Sequence, residues 1–331
     1  MTGAALPPSP PPWPGMGVYL GLTFLLSWVP AVVLDTLWGG VRDVFPTRLL
    51  HSSTYYFLTM GWQPLLAVLV VRRWIDPPGH LDLGLNPTRY GTLFLGTAGA
   101  LSIAAMSVAI TWLAGFPGLV VPTAIAPGVE PDVPSRPSLG AAVILGVALA
   151  GTIVLLCVQA FCEELGWRGY FLARMMQRFG PWPGLLLHGS IWGVWYAPII
   201  ALAAGNLEAV SSDSLSFIVT CTLLGALYGW LRLLVRSITL AVVVNAVLTI
   251  AAGLPFILHG ADIGPRGSAY GPAGWIPLLL AAGVLFIGPA RRAVAIPQGF
   301  ETRGTRGGLW RVVEHLVSRN GAGPDGMARS R

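Results

Sequence analysis

The chain contains no lysine: all 20 of its basic residues are arginine, and only 10% of its 331 residues are charged. A soluble domain carries about 25% charged residues, so a water-facing shell of ordinary charge density is excluded. With 54% hydrophobic residues and a mean hydropathy of +0.68, the composition is that of an integral membrane protein. The missing lysine reads as a genomic composition bias, and the chain looks bacterial. The net charge of +6 does not imply a nucleic-acid partner, because the arginines lie in loops and in the tail, where membrane topology accounts for them. Cysteine is scarce. Cys157, Cys162 and Cys221 lack metal-ligand spacing and read as small buried apolar side chains. There is no His-Glu-x-x-His pattern, and zinc catalysis asks for three protein ligands, so neither a metal nor another cofactor is expected. Residues 1–15 are Pro-rich without a basic residue, and no small-residue cleavage site follows the first apolar run. That run is therefore expected to be a retained helix and not a signal peptide. No internal repeat stands out, which speaks against a transporter built on repeat symmetry.

What the sequence does have is a succession of apolar runs. A spanning helix needs about 20 such residues. Eight candidates follow: 16–34, 56–71, 91–115, 139–162, 184–204, 215–231, 238–258 and 273–290. The expected fold is all-α, a polytopic membrane bundle of about eight spanning helices with a short interfacial helix. Pro198, Pro255 and Pro277 are expected to kink their helices. Along the chain this gives a Pro-rich segment (1–15), N-terminal membrane helices (16–138), a core (139–258), a last loop and helix (259–290) and an Arg-rich tail (291–331). Sixteen arginines fall on one side of the eight runs and four, Arg42, Arg48, Arg136 and Arg266, on the other. The richer side is expected to be cytoplasmic, which places both termini there in a multi-pass protein of the cell membrane. Membrane lipid is then an obligatory partner, and the tail arginines suit anionic headgroups. Residues 168–179 mix arginines with large apolar side chains and read as an interfacial amphipathic helix. Residues 309–317 do so more weakly, and the rest of the tail reads as disordered.

Residues 163–170 read Glu-Glu-Leu-Gly-Trp-Arg-Gly-Tyr. Adjacent carboxylates beside a bilayer are costly and need a reason. Glu164 and Arg168 are one helical turn apart and can pair, which leaves Glu163 on a neighbouring face. The spacing alone equally fits an interfacial charge cluster that closes the fourth helix. Two further pairs lie downstream, each one turn apart on a shared face: Trp192 with Tyr196, and Asn245 with Thr249.

Together these patterns resemble the membrane-embedded CAAX prenyl protease and bacteriocin-processing proteases, the CPBP or Abi-domain family, over roughly residues 139–258. The family's Glu-Glu-x-x-x-Arg mark is intact as Glu163, Glu164 and Arg168. In its second mark, an aromatic followed one turn later by histidine, Tyr196 takes the histidine position. In its third, histidine followed one turn later by asparagine, Asn245 and Thr249 take those two positions. The resemblance implies that Glu163 activates a water as general base, that Glu164 pairs structurally with Arg168, and that the third pair stabilises an oxyanion. A carboxylic acid against apolar surface suits a base for water. Tyr196 can orient that water but cannot take its proton at neutral pH. The Asn245 amide and the Thr249 hydroxyl can donate to an oxyanion. Losing one positioned acid–base group typically costs about 10²–10⁴-fold in rate, so reduced activity is expected. His188 lies two turns before Tyr196, about 12 Å along the axis. It is either a substitute that approaches Glu163 or a helix-start histidine facing the headgroups. The expectation is a CAAX-protease-like intramembrane endopeptidase at the cytoplasmic membrane boundary, acting on a peptide or protein substrate that is lipidated in eukaryotic relatives. The alternative is a non-catalytic membrane scaffold or binding protein with the same ancestry.

Overall fold

The computed structural model describes residues 13–38, 57–76, 81, 83–113, 138–204, 207–259 and 270–287. Most of the Pro-rich segment, the 309–317 stretch and the tail lie outside these residues. Among these residues ten α-helices are formed: α1 (Trp13–Trp38), α2 (Gln63–Trp74), α3 (Tyr90–Leu113), α4 (Leu139–Glu164), α5 (Leu172–Phe179), α6 (Pro181–Trp195), α7 (Ala197–Ala204), α8 (Leu207–Val235), α9 (Thr239–His259) and α10 (Pro272–Ile287). Two π-helical turns join them, Phe57–Gly61 before α2 and Leu165–Phe171 between α4 and α5. The stretches Trp13–Leu34, Tyr90–Thr111, Gly146–Phe179 and Ser214–Val235 are long and apolar enough to cross a membrane, and Thr239–Ala252 and Pro272–Val284 are shorter apolar helices. The architecture is a helical membrane bundle.

Several boundaries differ from expectation for local reasons. The run at 56–71 is not one spanning helix: Trp62 separates a π turn from α2, whose second residue is Pro64. Proline suits a first helical turn, where its missing N–H would have had no partner within the helix. At 12 residues, α2 extends only about 18 Å. The run at 184–204 is two helices that meet at Tyr196. Pro198 brings no N–H and its ring crowds the carbonyl four residues earlier, so the ladder stops at Trp195 and restarts at Ala197. Pro277 lies inside α10. At the other end of α6, Gly180 adopts φ 85°, a left-handed conformation that glycine takes without steric cost. This lets α5 stop and turn back as α6, beginning with Pro181 in its first turn.

α6 and α8 form the tightest helix pair. A Cβ on Gly225 would lie 2.6 Å from the Gly189 Cα, and one on Gly193 would lie 2.7 Å from the Ile218 Cα. Gly189 and Gly193 on α6 face Gly225 and its neighbours on α8, the small-x-x-x-small arrangement that lets membrane helices touch backbone to backbone. The 83–89 strap is pinned beneath the α8–α9 turn by Ile238 N–H donating to Gly84 O (2.8 Å) and Asn86 Nδ2 donating to Arg236 O (2.9 Å).

Segment 168–179 is amphipathic, but its first half is not interfacial: every residue from Cys162 to Ala173 is buried. Arg72, Arg168 and Arg232, read from the sequence as loop cations, are buried inside the protein. Cys157 was expected inside and is exposed, whereas Cys162 and Cys221 are buried.

Candidate active site

The last two turns of α4 carry the polar groups. Gln159 and Glu163 share a face one turn apart, and both are buried, Glu163 to 1% exposure. Gln159 Nε2 donates to Glu163 Oε1 at 2.8 Å. The break between α6 and α7 aims Tyr196 at the same carboxylate, its hydroxyl 2.9 Å from Oε2 and 3.1 Å from Oε1. An ionised carboxylate offers about four lone-pair sites. These two donors hold its orientation and leave acceptor capacity for a water.

Glu164 faces the other way. Arg168 Nη1 donates to its Oε1 at 2.9 Å, and both side chains are wholly buried. The guanidinium carbon lies 4.0 Å from the centroid of the Trp192 ring and 5.0 Å from that of Tyr228, so aromatic faces cover the charge where water does not. Asn245, on α9, donates from Nδ2 to the same Glu164 Oε1 at 2.9 Å. Thr249, one turn on, donates to Asn245 Oδ1 at 3.3 Å and lies 2.7 Å from the Tyr270 hydroxyl.

Several of these residues line a cavity of about 300 Å³. Glu163, Gln159, Tyr196, Asn245, Thr249 and Tyr270 supply its polar wall; Leu156, Ile199, Ile200, Phe217 and Trp192 supply its apolar wall. Of the residues singled out from sequence, Glu163, Tyr196, Asn245 and Thr249 thus converge directly. Glu164 and Arg168 stand behind them, linked through Asn245. A carbonyl group entering the cavity would meet a buried carboxylate on one side. It would also meet Asn245, an amide with two N–H donors of which one is used on Glu164.

His188 does neither thing expected of it. It does not face headgroups, because it is wholly buried. Nor does it line the Glu163 cavity: its ring packs against Trp167 and Phe171, at centroid separations of 6.1 Å each. Two site residues went unread in the sequence. Gln159 was signalled by a polar side chain within an apolar run, one turn before a buried acid. Tyr270 carries no motif and joins the site only through folding. Among the described residues no three His, Cys, Asp or Glu side chains group as a metal site.

Residues 145–251 match the family model described as type II CAAX prenyl endopeptidase, Rce1-like. The chain is also similar to CAAX prenyl protease 2 of Methanococcus maripaludis, at 28% identity over 103 residues. That alignment covers 30% of this chain, and the chain spans only 38% of the length of that curated relative. No solved structure matches. All six motif residues lie within the segment that is similar to Rce1-like CAAX prenyl endopeptidases, in a helical membrane protein.

Proposed function

We propose that this protein is an intramembrane endopeptidase in which Glu163 activates the water that cleaves a peptide bond. Glu163 takes a proton as the water oxygen bonds to the scissile carbonyl carbon. The second Asn245 N–H receives the oxyanion. Collapse breaks the C–N bond, and Glu163 returns its proton to the leaving amine. Tyr196 holds the carboxylate and the water in register without itself taking a proton, and Arg168 with Glu164 keeps Asn245 in place. The observation that carries this reading is a nearly fully buried carboxylate, held by two neutral donors, in the same cavity as an oriented amide. The arginine asymmetry, which rests on the tail once Arg72, Arg168 and Arg232 are buried inside the protein, supports a cytoplasmic site, and the apolar cavity wall supports a substrate with large apolar side chains or a lipid modification.

The test is cleavage of an apolar peptide library by purified protein in detergent. Glu163→Gln is expected to abolish turnover, a loss of at least about 10²–10⁴-fold. Tyr196→His, which supplies a proton acceptor, is expected to raise it roughly tenfold or more. Equal turnover by wild type and Glu163→Gln removes the protease reading. One observation favours a second reading, a non-catalytic peptide-binding protein: Tyr196 contacts both carboxylate oxygens at once. Peptide binding that Glu163→Gln weakens, without cleavage by wild type, would establish it.

A further inference from the structure

Tyr270 lies outside the family-matched segment 145–251, yet it lines the cavity. Its ring stacks on Phe217 at a centroid separation of 6.1 Å and an interplanar angle of 26°. Its hydroxyl lies 2.7 Å from Thr249 Oγ1. The directions of the hydrogen bonds follow from the far end. Asn245 donates from Nδ2 to Glu164, so its Oδ1 faces Thr249 and can only accept. The single Thr249 proton therefore goes to Asn245, and Thr249 in turn accepts from Tyr270. The chain Tyr270 → Thr249 → Asn245 → Glu164 runs one way and ends on the carboxylate that Arg168 holds.

We infer that Tyr270 is a positioning residue that sets the rotamer and donor strength of the Asn245 amide through Thr249, which rests on Asn245 being the oxyanion donor proposed above. Hydrogen bonds in series polarise one another. Electron density drawn to Oδ1 makes both Nδ2 protons stronger donors. Loss of the Tyr270 hydroxyl frees Thr249 to rotate and releases the amide from its single orientation. The effect falls on the transition state, where the oxyanion develops, and not on ground-state binding.

Two measurements test this. The chain has four asparagines, Asn86, Asn206, Asn245 and Asn320, so selective ¹⁵N-asparagine labelling in detergent resolves few side-chain NH₂ pairs, and Asn245→Asp assigns the one of interest. Tyr270→Phe keeps the ring on Phe217 and is expected to shift or broaden the Asn245 pair while leaving the other three in place. The same variant is expected to lower kcat about fivefold to tenfold with KM within twofold, and Thr249→Ser to retain most of wild-type kcat. Adding Thr249→Val to Tyr270→Phe is expected to cost no more than Thr249→Val alone, because both break one chain. An unmoved Asn245 pair in Tyr270→Phe overturns the relay, as does a loss confined to KM or a fully additive double variant. A moved pair without Glu163-dependent turnover keeps the relay and refutes the peptidase reading.

Discussion

The two ends of α4 have the same helical geometry and opposite surroundings. In its first five turns most of the described side chains are exposed, Val147 to 67% and Val154 to 60%, with Ala148 and Thr152 buried. From Gln159 onward nearly everything is buried, and that buried end carries the glutamine, both glutamates and, just beyond, Arg168. A water-soluble helix would show the reverse. In hydrocarbon an apolar side chain costs nothing facing outward, whereas an unsatisfied polar group there costs several kcal/mol, so polar groups gather inside and partner one another. The comparison teaches that along this helix the polar side chains are placed where partners can satisfy them, and that its exposed surface is of the kind a bilayer accepts.

The sharpest way to break the comparison is to remove a partner at the buried end. Arg168→Met leaves Glu164 as a buried charge without its cation and is expected to destabilise the protein by about 3–5 kcal/mol. Thermal unfolding in detergent measures it, and a loss below about 1 kcal/mol would show that Glu164 finds its stabilisation elsewhere. Next in size is the α6–α8 contact. Gly225→Val forces a branched side chain against the Gly189 backbone and is expected to cost about 1–3 kcal/mol. Because Tyr196 directly follows α6, peptide cleavage should fall with it; full activity with unchanged stability would show that the helices can separate without disturbing the site. The smallest effect belongs to the outer end. Val147→Ala trims a side chain that touches no core and is expected to stay within roughly 0.5 kcal/mol with normal turnover. A large loss there would identify that face as a protein interface.

Much of the site was legible because its residues sit in pairs one turn apart on single helices. Glu164 with Arg168 and Asn245 with Thr249 are contacts that the 3.6-residue repeat makes local, and Gln159 with Glu163 is a third of the same kind that went unread. Tyr196 was legible as a position and not as a geometry. Its reach to Glu163 across 33 residues of sequence depends on a helix break that the apolar run 184–204 conceals. Tyr270 was not legible at all, since nothing near it in sequence distinguishes it from an ordinary interfacial tyrosine. The buried arginines misled for a related reason: a charged residue between apolar runs reads as a loop unless its partner is known. Arg168 finds its partner on its own helix turn and its aromatic cover on α6 and α8.

The amino-acid sequence by itself determined the class of the protein and the local pairs that form the motif, because hydropathy and helical periodicity act over a few turns, but it did not show that the runs 56–71 and 184–204 are broken. Only the tertiary structure decided that Gln159 and Tyr196 hold Glu163 in a shared cavity, that His188 stands apart, and that an amide, a threonine and a distant tyrosine form one directed chain. Those outcomes depend on backbone approach between α6 and α8 and on the break at Tyr196, and contacts of that kind join residues that no short-range pattern connects.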